Sequence, residues 1–467
     1  MPRPPRIGVI VDHPDRDLIT AAMLALALSR RGCVTSVIPL YEQGVDVPLI
    51  GLDAIVVNFL RPANRAVIER YRALGIAIYV LDTEGGVLAQ DGPNSPDRMA
   101  ATVRDEGWGT LAEGYFFWGP VLHAAFQRAG ALAADRLHLT GCPRFDPVAP
   151  QWRAMLRYDK RDFILVNTAF PLVNSRFTAD GYDRSAMIAA GWDPAYVEAM
   201  ARDSAGALTR MIALVALLAR RFPEREFLLR PHPFEREATY AAAFEGLANV
   251  TISGSGSVLN VIANAACVIQ LNCSTAIEAL MLDKLPLSPD FISTPLLREH
   301  SPLPNRASRL VEDEDELVAV LADLPAAHAA FDFEKRYANL AEPYFFHRDG
   351  KAGERVAAIL ADAPCRAEIG PLWGESLRSA HAHPRPAQRL QGLVANLVGS
   401  AALSHLRARV SGRRKGKRLS PAALAELVNA AAAAAQVPAP RIVRHRHPLT
   451  GLPLASIMVA PAGTPHP

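Results

Sequence analysis

The sequence predicts an α/β protein built from two successive doubly wound parallel-sheet domains, and three observations carry that prediction. Short, continuously apolar runs recur through the first two thirds of the chain. Amphipathic stretches with helical spacing separate them, and the break from Pro143 to Gln151 divides the runs into two sets. A continuous apolar run is a strand buried on both faces, which is the condition of a parallel sheet covered by helices.

In the first set, Ile7-Gly8-Val9-Ile10-Val11 reads as a strand, Asp12 to Arg31 as a helix stopped by Gly32, and Val34 to Leu40 as a second strand. Ala54 to Val57 and Ile76 to Leu81 follow as strands with a helix from Asn64 to Ala73 between them. Phe116-Phe117-Trp118-Gly119 and Leu137 to Gly141 read as later elements of the same sheet. The second set opens at Phe163-Ile164-Leu165-Val166. A long helix (Tyr196 to Arg220), strands at Glu226 to Leu229 and Val250 to Ile252, a helix from Val258 to Ala265, a strand at Cys267 to Leu271 and a helix from Thr275 to Leu282 complete it. The expected domains are 1–147, 148–363 and a basic, Ala/Pro/Arg-rich extension over 364–467, partly helical or disordered. Two such sheets fit a two-lobed enzyme with its site in a cleft outside the carboxyl ends of the strands.

Composition narrows the function classes. The 467 residues carry a net charge of only +3, but Ser376 to Ala425 holds about ten Arg and Lys and no acid. Five cysteines without a CxxC pair give neither a disulfide framework nor a zinc site, so reduced core thiols of a cytoplasmic protein are expected. The start of the sequence lacks the apolar core of a signal peptide, and no run reaches the roughly 20 apolar residues of a membrane span.

Four motifs carry candidate chemistry. Arg230-Pro231-His232-Pro233 follows an apolar strand, and its two prolines fix the backbone so that His232 sits at a strand exit, suited to a phosphate oxygen beside Arg230. Asn272-Cys273-Ser274-Thr275 leads from strand to helix, and an N-cap at Ser274 or Thr275 leaves backbone N–H groups for a phosphate, with Glu278 one turn in for ribose hydroxyls. The same Thr275-x-x-Glu278 spacing is also a capping box. Ser253-Gly254-Ser255-Gly256-Ser257 lets a ligand approach closely through Ser255, Gly256 and Ser257, or is a plain turn; it has neither the Lys of a P-loop nor the GxGxxG spacing. Asp82-Thr83-Glu84-Gly85-Gly86 sets carboxylates at a strand exit, as a general base for an acceptor hydroxyl requires, or is a polar loop. Arg61, Arg144 and Asp146 also follow strand ends, where surface or turn roles are expected.

In their order, an acid-Gly motif in the first lobe and His-Pro and Ser-Thr motifs in the second, these residues resemble the bacterial sialyltransferases and Kdo transferases of GT-B fold. That resemblance implies Glu84 as base, with Asp82 beside it, and His232, Ser274 and Thr275 as ligands of a cytidine monophosphate donor. Thr83 stands where the sialyltransferase pattern has an acid. Over roughly residues 5 to 360 the chain also resembles uncharacterised bacterial surface-carbohydrate biosynthesis proteins, through Val11 to Asp17, Asp82 to Gly86, Phe117 to Pro120, Thr140 to Asp146, Asn167 to Asn174 and His347 to Ala352. More loosely, it is similar to glycerophosphotransferases that use cytidine-diphosphate glycerol.

The implied function is a metal-independent glycosyltransferase without a cofactor, taking a nucleotide-activated sugar to a glycan or lipid-linked glycan acceptor. A nucleotide-sugar epimerase of the same fold and a non-catalytic scaffold of a polysaccharide assembly complex are the alternatives. For the tail, two readings stand. One is a disordered arm; the other is a contact with the anionic inner face of the cytoplasmic membrane, through a helix over Leu390 to Val410 with Leu393, Leu397, Leu403 and Leu406 partly on one face, followed by Arg413 to Arg418. No nucleic acid is expected, because aromatic residues do not interleave the basic ones.

Overall fold

The computed structural model describes residues 3–85, 95–176, 182–189, 191–366, 370–381, 386–410 and 417–463. Gly86 of the acid-Gly motif and positions 411–416 of the basic run lie outside them. The chain forms two compact units, each built on its own sheet: residues 1–86, 100–155 and 345–467 make the first, and 87–99 and 156–344 the second.

In the first unit, β1 (Arg6–Val11), β2 (Val34–Pro39), β3 (Ala54–Val57), β4 (Ala77–Leu81), β5 (Gly114–Phe117) and β6 (Leu137–Leu139) are parallel neighbours in the order β2-β1-β3-β4-β5-β6. All begin and end within two residues of the expected runs, with β5 shifted two residues toward the start of the chain. In the second, β7 (Ile164–Asn167), β8 (Phe227–Arg230), β9 (Val250–Ile252), β10 (Cys267–Gln270), β11 (Leu285–Pro289) and β12 (Arg309–Val311) form a wholly parallel sheet. Its order is β9-β8-β7-β10-β11-β12, so the strand sequence reverses between β7 and β10. This is the 3-2-1-4-5-6 winding whose ligands bind at the reversal, outside the carboxyl ends of the strands. In the first sheet the reversal falls between β1 and β3. Both units are therefore Rossmann-like α/β layers, as the apolar runs predict.

The domain boundaries differ from expectation. The chain leaves the first unit after Met155, not at 147, and returns to it at Phe345. The helix Ala352–Ala361, assigned by sequence to the second domain, buries Ala352, Gly353, Val356, Ala357 and Leu360 and packs on the helix Pro14–Ser29 of the first. Gly353 permits the approach, since a Cβ there would lie 3.1 Å from Asp146 Oδ2 and 3.6 Å from the Met23 carbonyl oxygen.

The tail is corrected more fully, because it completes the first unit. β13 (Arg441–Arg446) and β14 (Pro453–Ala460) form an antiparallel hairpin, and β14 pairs antiparallel with β2, extending the sheet to eight strands. Two side-chain contacts secure that edge: Asp46 accepts from the Ser456 N–H (2.9 Å) and hydroxyl (2.6 Å), and Ser36 Oγ meets His445 Nε2 at 2.9 Å. The alanine run near Asn429 is the helix Pro421–Ala434, started by the Ser420 side chain. Ala431 and Ala432 pack with Met23, Leu26, Trp152 and Met155, where small side chains allow two helices to come close. The single helix expected over Leu390 to Val410 is two, Pro386–Val398 and Ser400–Val410, because Gly399 takes φ +84° with the Pro453 carbonyl oxygen 2.7 Å from where a Cβ would stand. Leu403 is buried, while Leu390, Leu397, Val398 and Leu406 are exposed.

Among the described residues no helix is long and apolar enough to cross a membrane, and no cluster of His, Cys, Asp and Glu suits a metal ion. Four of the five cysteines are buried thiols and Cys365 is exposed.

Candidate functional site

Each sheet gathers polar side chains at its reversal, and the two gatherings differ in kind. In the first unit, the exits of β1, β3, β4 and β5 surround a small pocket that is open to solvent. Val9, Ile10, Asp17, Asn58, Asp82, Trp118, Cys142 and Arg144 are among its walls. Asp82 follows β4 directly and is 3 % exposed. Its Oδ1 accepts the Glu84 N–H at 2.8 Å, and the Tyr115 hydroxyl lies 3.4 Å from Oδ2. Burial pushes its carboxyl up to about 6, with the positive charge of Arg61 opposing the rise.

The two acids of the motif thus separate. Glu84 is half exposed and ion-paired with Arg61 (3.1 Å), while Asp82 is the one in the pocket wall. Gly85 earns its place sterically: a Cβ there would lie 3.1 Å from Trp118 Cδ1 and 3.2 Å from Nε1. Arg144 lines the pocket, whereas Asp146 does not appear in its wall and instead accepts the N–H groups of Ala352 (2.8 Å) and Gly353 (2.7 Å) at a helix start. Near the β1 exit, Arg16 binds Asp17 (2.6 Å) and Asp12 (3.2 Å), and Lys417 from the tail also reaches Asp12 at 2.7 Å.

In the second unit, the exits of β8, β7 and β10 are adjacent, and Arg230, Asn167 and Gln270 end them in register. Arg230 does not stand open to a ligand; its guanidinium donates to the carbonyls of Ser255 and Gly256, each at 2.6 Å, and so holds the Gly/Ser loop in place. That loop closes on itself through Ser253 Oγ and Ser255 Oγ (2.8 Å), with Gly256 at φ +76° and Ser257 preceding the helix Val258–Asn264. His232 accepts the Phe234 N–H at Nδ1 (3.2 Å). Pro231 is buried and Pro233 exposed, so the rigid segment turns outward at the histidine.

At β10 the expected capping box is absent. Ser274 is the N-cap residue of the helix Thr275–Met281 but makes no side-chain cap bond. Thr275 Oγ1 instead receives Asn167 Nδ2 at 3.0 Å and lies 3.1 Å from Cys273 Sγ. Asn272 adopts φ 56°, a conformation Asn tolerates, and accepts from Asn305 Nδ2 at 2.6 Å. Gln270 Oε1 takes the Cys273 N–H at 2.7 Å. Glu278 is buried inside the helix turn.

Sequence reasoning missed Glu235. It is 2 % exposed, and its carboxylate accepts from the Thr168 hydroxyl (2.9 Å), the Phe170 N–H (2.7 Å) and the Tyr240 hydroxyl, joining the β7 exit to the His-Pro segment. Burial raises its carboxyl above the ordinary range. Its place just after His232-Pro233-Phe234 was the available signal.

No family model and no curated protein matches this chain. Among solved structures it is similar to the UDP-GlcNAc 2-epimerase of Methanocaldococcus jannaschii, at 12 % identity and a TM-score of 0.46 over 76 % of this chain and 99 % of that one. A putative UDP-N-acetylglucosamine 2-epimerase from Listeria monocytogenes is similar at 14 % identity and a TM-score of 0.48, covering 78 % and 98 %. A wall teichoic acid polymerase is similar at 12 % and 0.45, covering 77 % and 89 %. Likeness at this level transfers no chemistry, which the residues of this chain must supply.

Proposed function

We propose that the chain is a glycosyltransferase that moves a sugar from a nucleotide-activated donor to a glycan or lipid-linked glycan acceptor. The observation that carries this reading is the meeting of Asn167 and Thr275 across the reversal of a 3-2-1-4-5-6 sheet, with His232 following the neighbouring strand β8. His232 and the backbone N–H groups around Ser274 and Thr275 would meet the leaving phosphate, and Arg230 shapes the Gly/Ser loop. Of the two acids, Asp82 fits the base better than Glu84, because a carboxyl held near 6 is ionised at neutral pH yet basic enough to take a proton. The acceptor hydroxyl gives its proton to Asp82 as its oxygen bonds to the anomeric carbon. The bond from that carbon to the donor phosphate breaks, and the phosphate leaves with the electron pair.

Calorimetric titration with cytidine, uridine and guanosine mono- and diphosphates tests the donor site; a cytidine monophosphate-linked ulosonic acid is the donor favoured by the sequence resemblance. Tight binding of one nucleotide, lost in His232→Ala, is the expected result. An isomer formed from the nucleotide sugar alone, without acceptor, would replace transfer by epimerisation.

The exposed Leu390, Leu397 and Val398, spaced to share one helix face, together with Leu406 and the acid-free basic run, support a peripheral contact with anionic lipid. Replacing these four residues by Ser is expected to abolish co-sedimentation with phosphatidylglycerol vesicles.

A further inference from the structure

The His-Pro segment ends in a tight turn. The His232 carbonyl accepts the Glu235 N–H at 2.8 Å across Pro233 and Phe234, and a proline at the second position of such a turn has its φ already set. The imidazole belongs to the same turn, because its Nδ1 takes the Phe234 N–H (3.2 Å) and its ring meets that of Phe234 edge-on, with centroids 5.3 Å apart. The direction of the His232 ring is therefore tied to the turn, and Glu235 holds the far end of that turn.

Glu235 is itself anchored to two other segments. Its Oε1 accepts the Phe170 N–H at 2.7 Å, and Oε2 meets the Thr168 hydroxyl at 2.9 Å and the Tyr240 hydroxyl. Thr168 and Phe170 follow β7, whereas Tyr240 comes from the helix Glu237–Ala243. The backbone repeats the link to the β7 exit. Glu235 bridges Ser175 antiparallel, the Arg176 N–H reaches the Phe234 carbonyl, and the Arg236 N–H reaches the Asn174 carbonyl, the last two each at 2.9 Å. A carboxylate accepts on both oxygens at once, and an amide in its place turns an NH₂ group toward one of these donors. Burying an acid is unfavourable compared with an apolar group of similar volume, so stability alone does not account for an acid at this place.

We propose that Glu235 is a positioning residue: through the turn from His232 to Glu235 it holds the imidazole of His232 at the strand exit in the orientation that meets a phosphate, without touching the ligand itself. Glu235 serves a phosphate only if His232 does, so this role rests on the transferase reading, while the setting of the ring is measured without a ligand.

The full chain, labelled with ¹⁵N at histidine, gives a His232 ring signal identified by its loss in His232→Ala. In Glu235→Gln that signal is expected to move. In Tyr240→Phe and Thr168→Val, which each remove one donor and keep the acid, it should move less, and these two variants carry the same test if Glu235→Gln does not fold. Nucleotide affinity is read by calorimetry with cytidine, uridine and guanosine mono- and diphosphates. Glu235→Gln should weaken the nucleotide that binds about tenfold, and the same change made in His232→Ala should add nothing, because the effect travels through the imidazole. A merely structural role lowers the urea midpoint but leaves the ring signal of the folded protein in place. A His232 signal unmoved in every folded variant overturns the proposal, as does a loss of affinity that adds fully in the double variant. A ring signal that moves as expected in a chain that binds none of the nucleotides overturns the transferase reading instead, and leaves the anchoring of His232 by Glu235 standing.

Discussion

The two strand-exit sites hold similar residue types in different arrangements, one a solvent-open pocket and the other a set of loops tied by side chains. In the second unit many polar side chains are tied to another part of the fold, Arg230 to the Gly/Ser loop, Thr275 to Asn167, Asn272 to Asn305 and Glu235 to three donors, although Asn167 Oδ1 is buried without a partner and burial raises Glu235 too. In the first, a buried acid rises to about 6 and two N–H donors, those of the Asn58 and Trp118 side chains, have no partner. A wired site fixes the shape of its loops. An unsatisfied one is poised to exchange protons and hydrogen bonds with what enters. Under the proposed function, recognition of phosphate falls to the second sheet and proton chemistry to the first.

The sharpest way to break that contrast is to neutralise Asp82. Asp82→Asn is expected to lower turnover about 10²- to 10⁴-fold and remove the acidic limb of the pH–rate profile near pH 6, while Glu84→Gln costs less than about tenfold. Equal losses in both variants would return the base to Glu84. The stability of Asp82→Asn should move the other way. The folded carboxyl is held above its ordinary 3.8, so the native state binds the proton more tightly; stability falls as pH rises from about 4 to about 6 and stays lower above it. The substitution removes that cost of up to about 3 kcal/mol, so its denaturant midpoint should exceed the wild-type value at pH 8 and not at pH 4.

In the second unit, His232→Ala is expected to weaken nucleotide binding about tenfold or more, the value of one hydrogen bond to a charged group, with the unfolding midpoint unaltered. Gly85→Ala probes the packing of the acid-Gly motif: the new methyl meets the Trp118 ring at 3.1 Å and should cost about 1–3 kcal/mol in urea unfolding. The smallest expected effect belongs to Asp146→Ala, which removes acceptors from two helix-start N–H groups and should cost about 1–2 kcal/mol without changing nucleotide affinity.

Strands such as Ala54–Val57 and Cys267–Gln270 were legible in the sequence because burial on both faces leaves an unbroken apolar run. The polar ends of those runs located Asp82, His232 and Thr275 for the same reason. The hairpin β13–β14 was not legible: Arg441-Ile442-Val443-Arg444-His445-Arg446 reads as a basic tract, and its partner lies behind a composition rich in Ala and Pro. Its register depends on β2, near the other end of the sequence, and no local pattern encodes that. Nor does spacing distinguish a cap from a cross-strand tie, as Thr275 demonstrates, or reveal that Asn58 lacks a partner. Such facts arise only when distant strands are set side by side.

The pairing of β14 with β2 also orders events during synthesis. Roughly 400 residues separate the two strands, so at about 5–20 residues per second β2 waits tens of seconds for its neighbour. From Tyr344 onward the second unit is complete in sequence, while the first still presents a bare strand edge open to foreign strands. Production of the full protein should therefore depend on chaperones that shield nascent edges, and chains released before Pro453 should be lost to aggregation even though both candidate sites are already encoded in them.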